Sequence, residues 1–216
     1  PYSVDKYTNA DDNLLSYFGR VNYDFQSKYL ISGTFRADGS SKFSKGNRWG
    51  YFPSAAVAWR ISSEKFMEKT QNWLDDLKIR ASYGTTGNDL NTSNKSIGYF
   101  QYIERYTTGS SYMFGKGLAN GIQTGSMPTT DLTWATSATI NGGIDFTLLS
   151  NRLSGTIDGF YRKETDILGS RTTTLPSTYG ASLAPENYAE RSWRGGEFTL
   201  TWRDKVQHGI NYSLYM

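Results

Sequence analysis

From Leu15 to Phe25 apolar and polar side chains alternate: Leu15, Tyr17, Gly19, Val21, Tyr23 and Phe25 hold one parity, and Ser16, Arg20, Asn22 and Asp24 hold the other, with Phe18 as the exception. A period of two predicts a β-strand whose faces meet different surroundings. After Gln26-Ser27-Lys28 the pattern resumes, with Tyr29, Ile31, Gly33, Phe35 and Ala37 set against Ser32, Thr34, Arg36 and Asp38. A third strand carries Tyr51, Pro53, Ala55, Val57, Trp59 and Ile61 on its apolar face, and a fourth, Leu77 to Gly84, opposes Leu77, Ile79, Ala81 and Tyr83 to Lys78, Arg80 and Ser82. From Leu132 the apolar parity becomes even, through Trp134, Ala138, Ile140, Gly142, Ile144, Phe146 and Leu148. Past Ser150-Asn151-Arg152 come Leu153, Gly155, Ile157, Gly159 and Tyr161 against Ser154, Thr156, Asp158 and Arg162. Phe198, Leu200 and Trp202 mark a seventh strand, and Ile210, Tyr212 and Leu214 an eighth, so about eight strands are predicted.

The connections alternate in length. Those at 26–28, 150–152 and 203–208 read as tight turns, whereas 38–48, 85–131 and 165–191 are long and rich in Gly, Ser, Thr and Asn. Short turns at one end and long loops at the other are the habit of an outer-membrane β-barrel, and the first strand has the roughly 9–11 residues that a tilted spanning strand needs. The segment from Ser62 to Asp76, with Phe66, Met67, Trp73 and Leu74 among charges, predicts a short amphipathic helix at the turn end. Tyr29, Tyr51, Trp59, Tyr83, Trp134, Tyr161 and Trp202 fall near strand ends, where an aromatic girdle would place them. Gly19, Gly33, Gly142 and Gly155 sit inside strands, at sites of expected close approach or bending. Arg20, Arg36, Arg60 and Arg80 all take the polar parity and predict a wet interior in which they pair with carboxylates.

Composition sharpens this picture. Sixteen Tyr, 22 Gly, 5 Pro and 15% aromatic residues in 216 favour an all-β fold. No stretch reaches the roughly 18 apolar residues of a transmembrane helix. A mean hydropathy of -0.58 excludes a helical membrane protein and is compatible with a barrel, whose strands are apolar only at alternate positions. The charge of +3, with both signs interspersed, carries no nucleic-acid footprint. Cysteine is absent and histidine occurs once, at His208 in an expected turn, which excludes a zinc site and a Cys/His nucleophile and makes any Ser/His/Asp triad depend wholly on that residue. The pairs Asp11-Asp12 and Asp75-Asp76 sit beside turns, where Asp caps or solvates the chain, and Asp38-Gly39-Ser40-Ser41 lacks EF-hand ligand spacing. No cofactor is expected.

At Ser16-Tyr17-Phe18-Gly19-Arg20-Val21-Asn22-Tyr23 the chain resembles the SusC/RagA family of TonB-linked outer-membrane proteins. The likeness continues through Thr34-Phe35-Arg36-Ala37-Asp38-Gly39-Ser40-Ser41-Lys42-Phe43, Asn47-Arg48-Trp49-Gly50-Tyr51-Phe52-Pro53-Ser54 and Leu77-Lys78-Ile79-Arg80-Ala81-Ser82-Tyr83-Gly84. Later come Thr86-Gly87-Asn88, Leu132-Thr133-Trp134, Gly143-Ile144-Asp145-Phe146 and Phe160-Tyr161-Arg162-Lys163-Glu164-Thr165-Asp166-Ile167-Leu168. In this order and spacing the strings are specific and span residues 14–204. Departures at 128–135 and 192–197 blur where the strands there begin.

The resemblance implies an antiparallel transmembrane β-barrel of about 22 strands, closed by a plug. Residues 1–216 would be an internal part of it, with the plug, the TonB box and the remaining strands outside this sequence. It also implies import of oligosaccharides or peptides across the outer membrane of Bacteroidetes, a SusD-like surface lipoprotein as partner, work supplied by the TonB complex through the missing N-terminal region, and no enzymatic activity. Loop residues Tyr99, Phe100, Tyr102, Tyr106, Tyr112 and Phe114 are then the expected substrate contacts, able to stack on sugar rings or to grip the lipoprotein. The plainer reading is that these rings pack on neighbouring loops. The rival architecture is a soluble all-β carbohydrate-binding module, in which the apolar faces of two sheets would meet.

Overall fold

A computed structural model describes residues 12–89, 98–115, 117–125, 127–169, 176, 178, 185–206 and 210–216. His208 and Asp11 lie outside these residues. The strands are β1 (Leu14–Phe25), β2 (Tyr29–Ser40), β3 (Trp49–Arg60), β4 (Leu74–Asn88), β5 (Tyr106–Phe114), β6 (Gly117–Thr124), β7 (Ala135–Leu148), β8 (Leu153–Gly169), β9 (Glu186–Val206) and β10 (Ile210–Tyr215). Eight of them form one sheet in the order β1-β2-β3-β4-β7-β8-β9-β10, while β5 and β6 pair only with each other.

Register shows why the alternation is continuous. The row Tyr23, Ile31, Val57, Ala81, Gly142, Gly159, Gly196 runs cross-strand from β1 to β9 on one face. A second row on that face joins Leu74, Leu148, Leu153, Trp202 and Leu214. A slip of one residue in any strand would carry its charges onto this greasy side. Among the described residues no second sheet covers the face, and its large side chains stand in the open, with Val21 73% and Phe198 60% exposed. The two packed sheets of the sandwich rival are therefore not found among the described residues; a continuous apolar face of this extent calls for a lipid surround.

Several boundaries differ from the sequence expectation. Strands β4, β8 and β9 extend well beyond the greasy band, so the predicted loop at 165–191 begins only after Gly169 and ends before Glu186. The tight turn expected at 203–208 is strand through Val206, because Arg203, Asp204, Lys205 and Val206 pair with Ser213, Tyr212, Asn211 and Ile210. The predicted helix at 62–76 is two short 3-10 turns, Ile61–Ser63 and Lys65–Thr70. Of the four strand glycines, only Gly155 is crowded: a Cβ there would lie 2.6 Å from Phe146 and 2.7 Å from the Thr199 carbonyl, whereas Gly19, Gly33 and Gly142 face open space.

The turn end is tightly fastened. Gln26 and Ser27 both take left-handed φ of 54°, the Lys28 N–H closes the turn on the Phe25 carbonyl at 3.0 Å, and the Ser27 N–H donates to Asp24 at 2.7 Å. Phe25, Tyr29 and Trp59 stack as a ladder, with centroids 6.4 Å apart at each step. The polar tips of Tyr29 and Trp59 meet one carboxylate, joined by Lys28: Glu64 accepts from the Tyr29 hydroxyl at 2.7 Å, from Trp59 Nε1 at 3.2 Å and from Lys28 Nζ at 3.2 Å. Donation from Tyr29, then from Trp59 and Lys28, holds the Glu64 carboxyl below the usual glutamate range. A depressed folded-state value means that the stabilisation is complete at neutral pH and is lost as acid protonates the group, from about pH 4.3 downward. The Glu64→Gln variant of the intact protein should accordingly melt lower than the parent at pH 7 and lose less stability on acidification. Heat-modifiability midpoints on gels at pH 7 and pH 3.5 would check this, and parallel declines would disprove it.

Candidate functional site

Opposite the turns, the sheet ends in a small buried core of Phe43, Phe52, Leu132, Trp134 and Leu168. Phe52 belongs to the polar parity of β3, and its ring lies against Gly50 and Gly87, where any Cβ would collide with it. Trp134 meets Phe43 at 5.2 Å and Phe52 edge-on at 5.9 Å, and its indole N–H donates to the Arg48 carbonyl at 2.9 Å. Trp134 is thus a core residue of the rim, 8% exposed, and not the girdle residue that the sequence suggested. Its even parity matched the strand, but β7 starts one residue later, at Ala135, which frees Trp134 to turn inward.

Polar clamps complete the rim. Ser44 Oγ and Asn47 Nδ2 donate to the Thr130 carbonyl, tying the β2–β3 loop to the segment that enters β7. Asn187 behaves as a strand partner in side-chain form: its Oδ1 accepts from the Thr133 N–H at 3.0 Å and its Nδ2 donates to the Thr133 carbonyl at 2.9 Å. Lys42, 6% exposed, hydrogen-bonds Asp89 and forms an ion pair with Asp12 at 3.2 Å, with the Tyr99 ring centroid 5.8 Å from its ammonium. Burial alone would lower its pKa, but Asp89 and Asp12 outweigh that and raise it, so the ammonium stays charged.

The six aromatic residues predicted as contacts fall into two groups. Tyr99, Phe100 and Tyr102 lie on the described turn beside Lys42; Phe100 and Tyr102 meet edge-on at 6.1 Å, and the Arg105 guanidinium donates to the Tyr99 carbonyl. Tyr106, Tyr112 and Phe114 lie on β5, one arm of a hairpin that the sequence pattern did not reveal within its long 85–131 loop. A bulge between Thr108 and Ser110 shifts the register, so Tyr106, Met113, Leu118 and Ile122 share one face while Tyr112 and Phe114 occupy the other. Both faces are bare: Phe114 is 78% and Ile122 72% exposed. A two-stranded hairpin has no interior of its own, so apolar side chains on both faces offer a surface for another molecule.

The inward face of the wall is charged and largely self-neutralised. Arg80 pairs with Asp145 at 3.0 Å and with Asp158 at 2.6 Å, Lys78 with Asp145 at 2.7 Å, Arg36 with Asp38 at 2.7 Å, and Arg60 with Asp76 at 3.4 Å. The expected arginine–carboxylate pairing holds for these three arginines, while Arg20 donates to Asn22. Arg80 and Asp158 stand two strands apart with Gly143 between them, and a Cβ on Gly143 would strike Asp158 and lie 3.0 Å from the Arg80 guanidinium carbon. Only glycine leaves that span open. Asp75 and Asp76 serve the turns, the first accepting from the Asn151 N–H at 2.9 Å and the second from Ser62 Oγ at 2.7 Å.

A family model described as TonB dependent receptor-like, beta-barrel matches residues 1–216. The chain belongs to that family. Its place is therefore the outer membrane, with the apolar face toward lipid, the charged face toward the lumen, the tight turns periplasmic and the long loops extracellular. It is 36% identical over 207 residues to TonB-dependent receptor SusC of Bacteroides thetaiotaomicron, covering 94% of this chain and 20% of that protein. To TonB-dependent receptor P3 of Formosa agariphila it is 35% identical, covering 94% of this chain and 19% of that one. Among solved structures, the RagAB peptide importer in its open-open state superposes with a TM-score of 0.77 at 27% identity, over 95% of this chain and 22% of that one. The chain spans about a fifth of the length of these curated relatives.

Two substitutions test this geometry in the intact receptor. Trp134→Ala should empty the rim core, costing about 3–5 kcal/mol locally, and admit trypsin at Lys42, Lys45 and Arg48 on whole cells; a cleavage pattern like the parent's would refute the packing role. Gly143→Ala should break the Arg80–Asp158 span and lower urea stability by about 1–2 kcal/mol, with little further loss when Arg80→Gln is added to it. Additive losses in the double variant would separate the two residues.

Proposed function

We propose that the intact protein imports nutrients across the outer membrane and that residues 1–216 form part of its barrel domain, supplying wall and extracellular loops. The observation that carries this reading is the single sheet itself. Its apolar outside continues without a break through eight strands, and its inside is lined with paired charges fit for water. Lipid leaves no solvent for unpaired backbone groups, so strands β1 and β10 need partners from a larger ring, and a plug would fill a lumen of that size. The relatives give the same direction: the RagAB structure is a peptide importer, and the curated relatives are TonB-dependent receptors. Transport rather than catalysis fits the acidic pairs, since Asp75 and Asp76 are engaged in fastening turns.

On this reading the cargo is an oligosaccharide or a peptide, TonB acts through a region outside this chain, and a SusD-like lipoprotein sits over the extracellular mouth. Tyr99, Phe100, Tyr102, Tyr106, Tyr112 and Phe114 supply contacts there. The turn group, near the buried Lys42, suits cargo at the rim, while the bare hairpin suits the lipoprotein. Alanine at Tyr99 and Tyr102 should lower uptake of labelled oligosaccharide or peptide by about tenfold for each 1.4 kcal/mol of contact removed. Alanine at Tyr112 and Phe114 should instead reduce co-purification of the lipoprotein. Unchanged uptake and unchanged co-purification, at equal surface levels of receptor, would remove these four residues from the contact surface.

A further inference from the structure

The connection between β3 and β4 contains two large side chains that nothing in the barrel wall explains. Phe66 is 66% exposed and Trp73 51%, and neither 3-10 turn buries a residue. The segment does not dangle. At one end Glu64 is bonded to Tyr29 and Trp59, and at the other the Leu149 N–H donates to the Trp73 carbonyl at 2.8 Å. Tyr29 and Trp59 belong to the lipid-facing side of the sheet, so a carboxylate that collects both of their polar tips draws the connection from Glu64 onward toward the membrane side of the wall, while Ser62 just before it is held by Asp76. In a helix of three residues per turn, Phe66 and Lys69 fall on one line, a ring with a cation one turn beyond it.

We propose that this connection is a foot resting on the periplasmic leaflet of the outer membrane, with Phe66 and Trp73 inserted at the level of the phospholipid headgroups and Lys69 meeting their phosphates. The surface is continuous with the aromatic girdle through Glu64, and its chemistry is that of an interfacial segment: rings below, a cation above. The foot holds the strand pair β3–β4 at a fixed depth while the loops at the far end change.

The test uses the intact receptor, other cysteines replaced, in vesicles of phosphatidylethanolamine and phosphatidylglycerol. Nitroxides are placed at Phe66→Cys and separately at Trp73→Cys, with Val21→Cys as the lipid-facing reference and Asn151→Cys as the reference in another periplasmic turn. Collision with oxygen and with a water-soluble nickel chelate is then measured for each. The expected result is that the labels at 66 and 73 are each shielded from nickel several-fold more than the one at 151 and approach the one at 21. Nickel access at either 66 or 73 equal to that at 151, while 21 remains shielded, overturns the foot and leaves the barrel reading intact. Shielding seen in whole envelopes but absent from vesicles also overturns it, in favour of a periplasmic protein.

Discussion

Backbone hydrogen bonding in a medium without water governs the rest of this structure. An unpaired amide or carbonyl in hydrocarbon costs several kcal/mol, so each strand must find both neighbours, and the period-two geometry of those pairings then dictates where side chains go. Antiparallel pairing from β1 to β10 meets that demand within the sheet, and its register aligns apolar rows such as Tyr23 to Gly196 without a break. Composition follows from register. A strand here may be as polar as its lumen face requires, which is how a mean hydropathy of -0.58 coexists with a lipid-facing surface.

The two ends of the wall solve different problems with similar means. At the periplasmic end one carboxylate, Glu64, gathers a tyrosine, a tryptophan and a lysine, so the aromatic ladder is fixed by its tips as well as by stacking. At the extracellular end the chain leaves the sheet, and the loops need a core of their own. Phe43, Phe52 and Trp134 provide it, with Asn187 imitating a strand partner for Thr133 where the ladder stops. That small core is what lets the long loops stand on the wall in a defined way while the hairpin β5–β6 projects free of the main sheet.

The wall was legible from sequence because alternation repeats over many residues and each strand confirms its neighbour. Alternation on that basis discloses eight wall strands and the paired lumen arginines Arg36, Arg60 and Arg80, whereas Arg20 meets Asn22 and no carboxylate. The rim was not legible, for reasons particular to its residues. Trp134 fits the apolar parity of β7 yet lies one residue before the strand begins, and Phe52 violates parity because it serves the rim core and not the lumen. Periodicity reports the face of a strand only while the strand is paired on both sides. Alternation does not disclose the hairpin because Tyr106 and Phe114 lie on opposite faces across a bulge, which erases the period. Asn187 could not be found at all, since a single amide carries no pattern.

Gly143 shows how the two faces of a one-layer wall depend on each other. In a sandwich, side chains of a second sheet would fill the gap above a glycine; here the gap is spanned by Arg80 reaching across β7 to Asp158. The bridge joins strands that share no backbone bonds, so it braces the sheet across its width, where the ladder gives least resistance to bending. Charges can serve this purpose only because the lumen is wet enough to spare them the full desolvation cost, and because each is matched by another on the same wall. The lipid face uses rings instead of charges for this: Tyr17 of β1 stacks on Trp49 of β3 at 5.9 Å, across β2, while Gly142 and Gly159 leave open space. Bracing across the barrel wall thus comes from both sides, by ion pairs where water is present and by stacked rings where it is not.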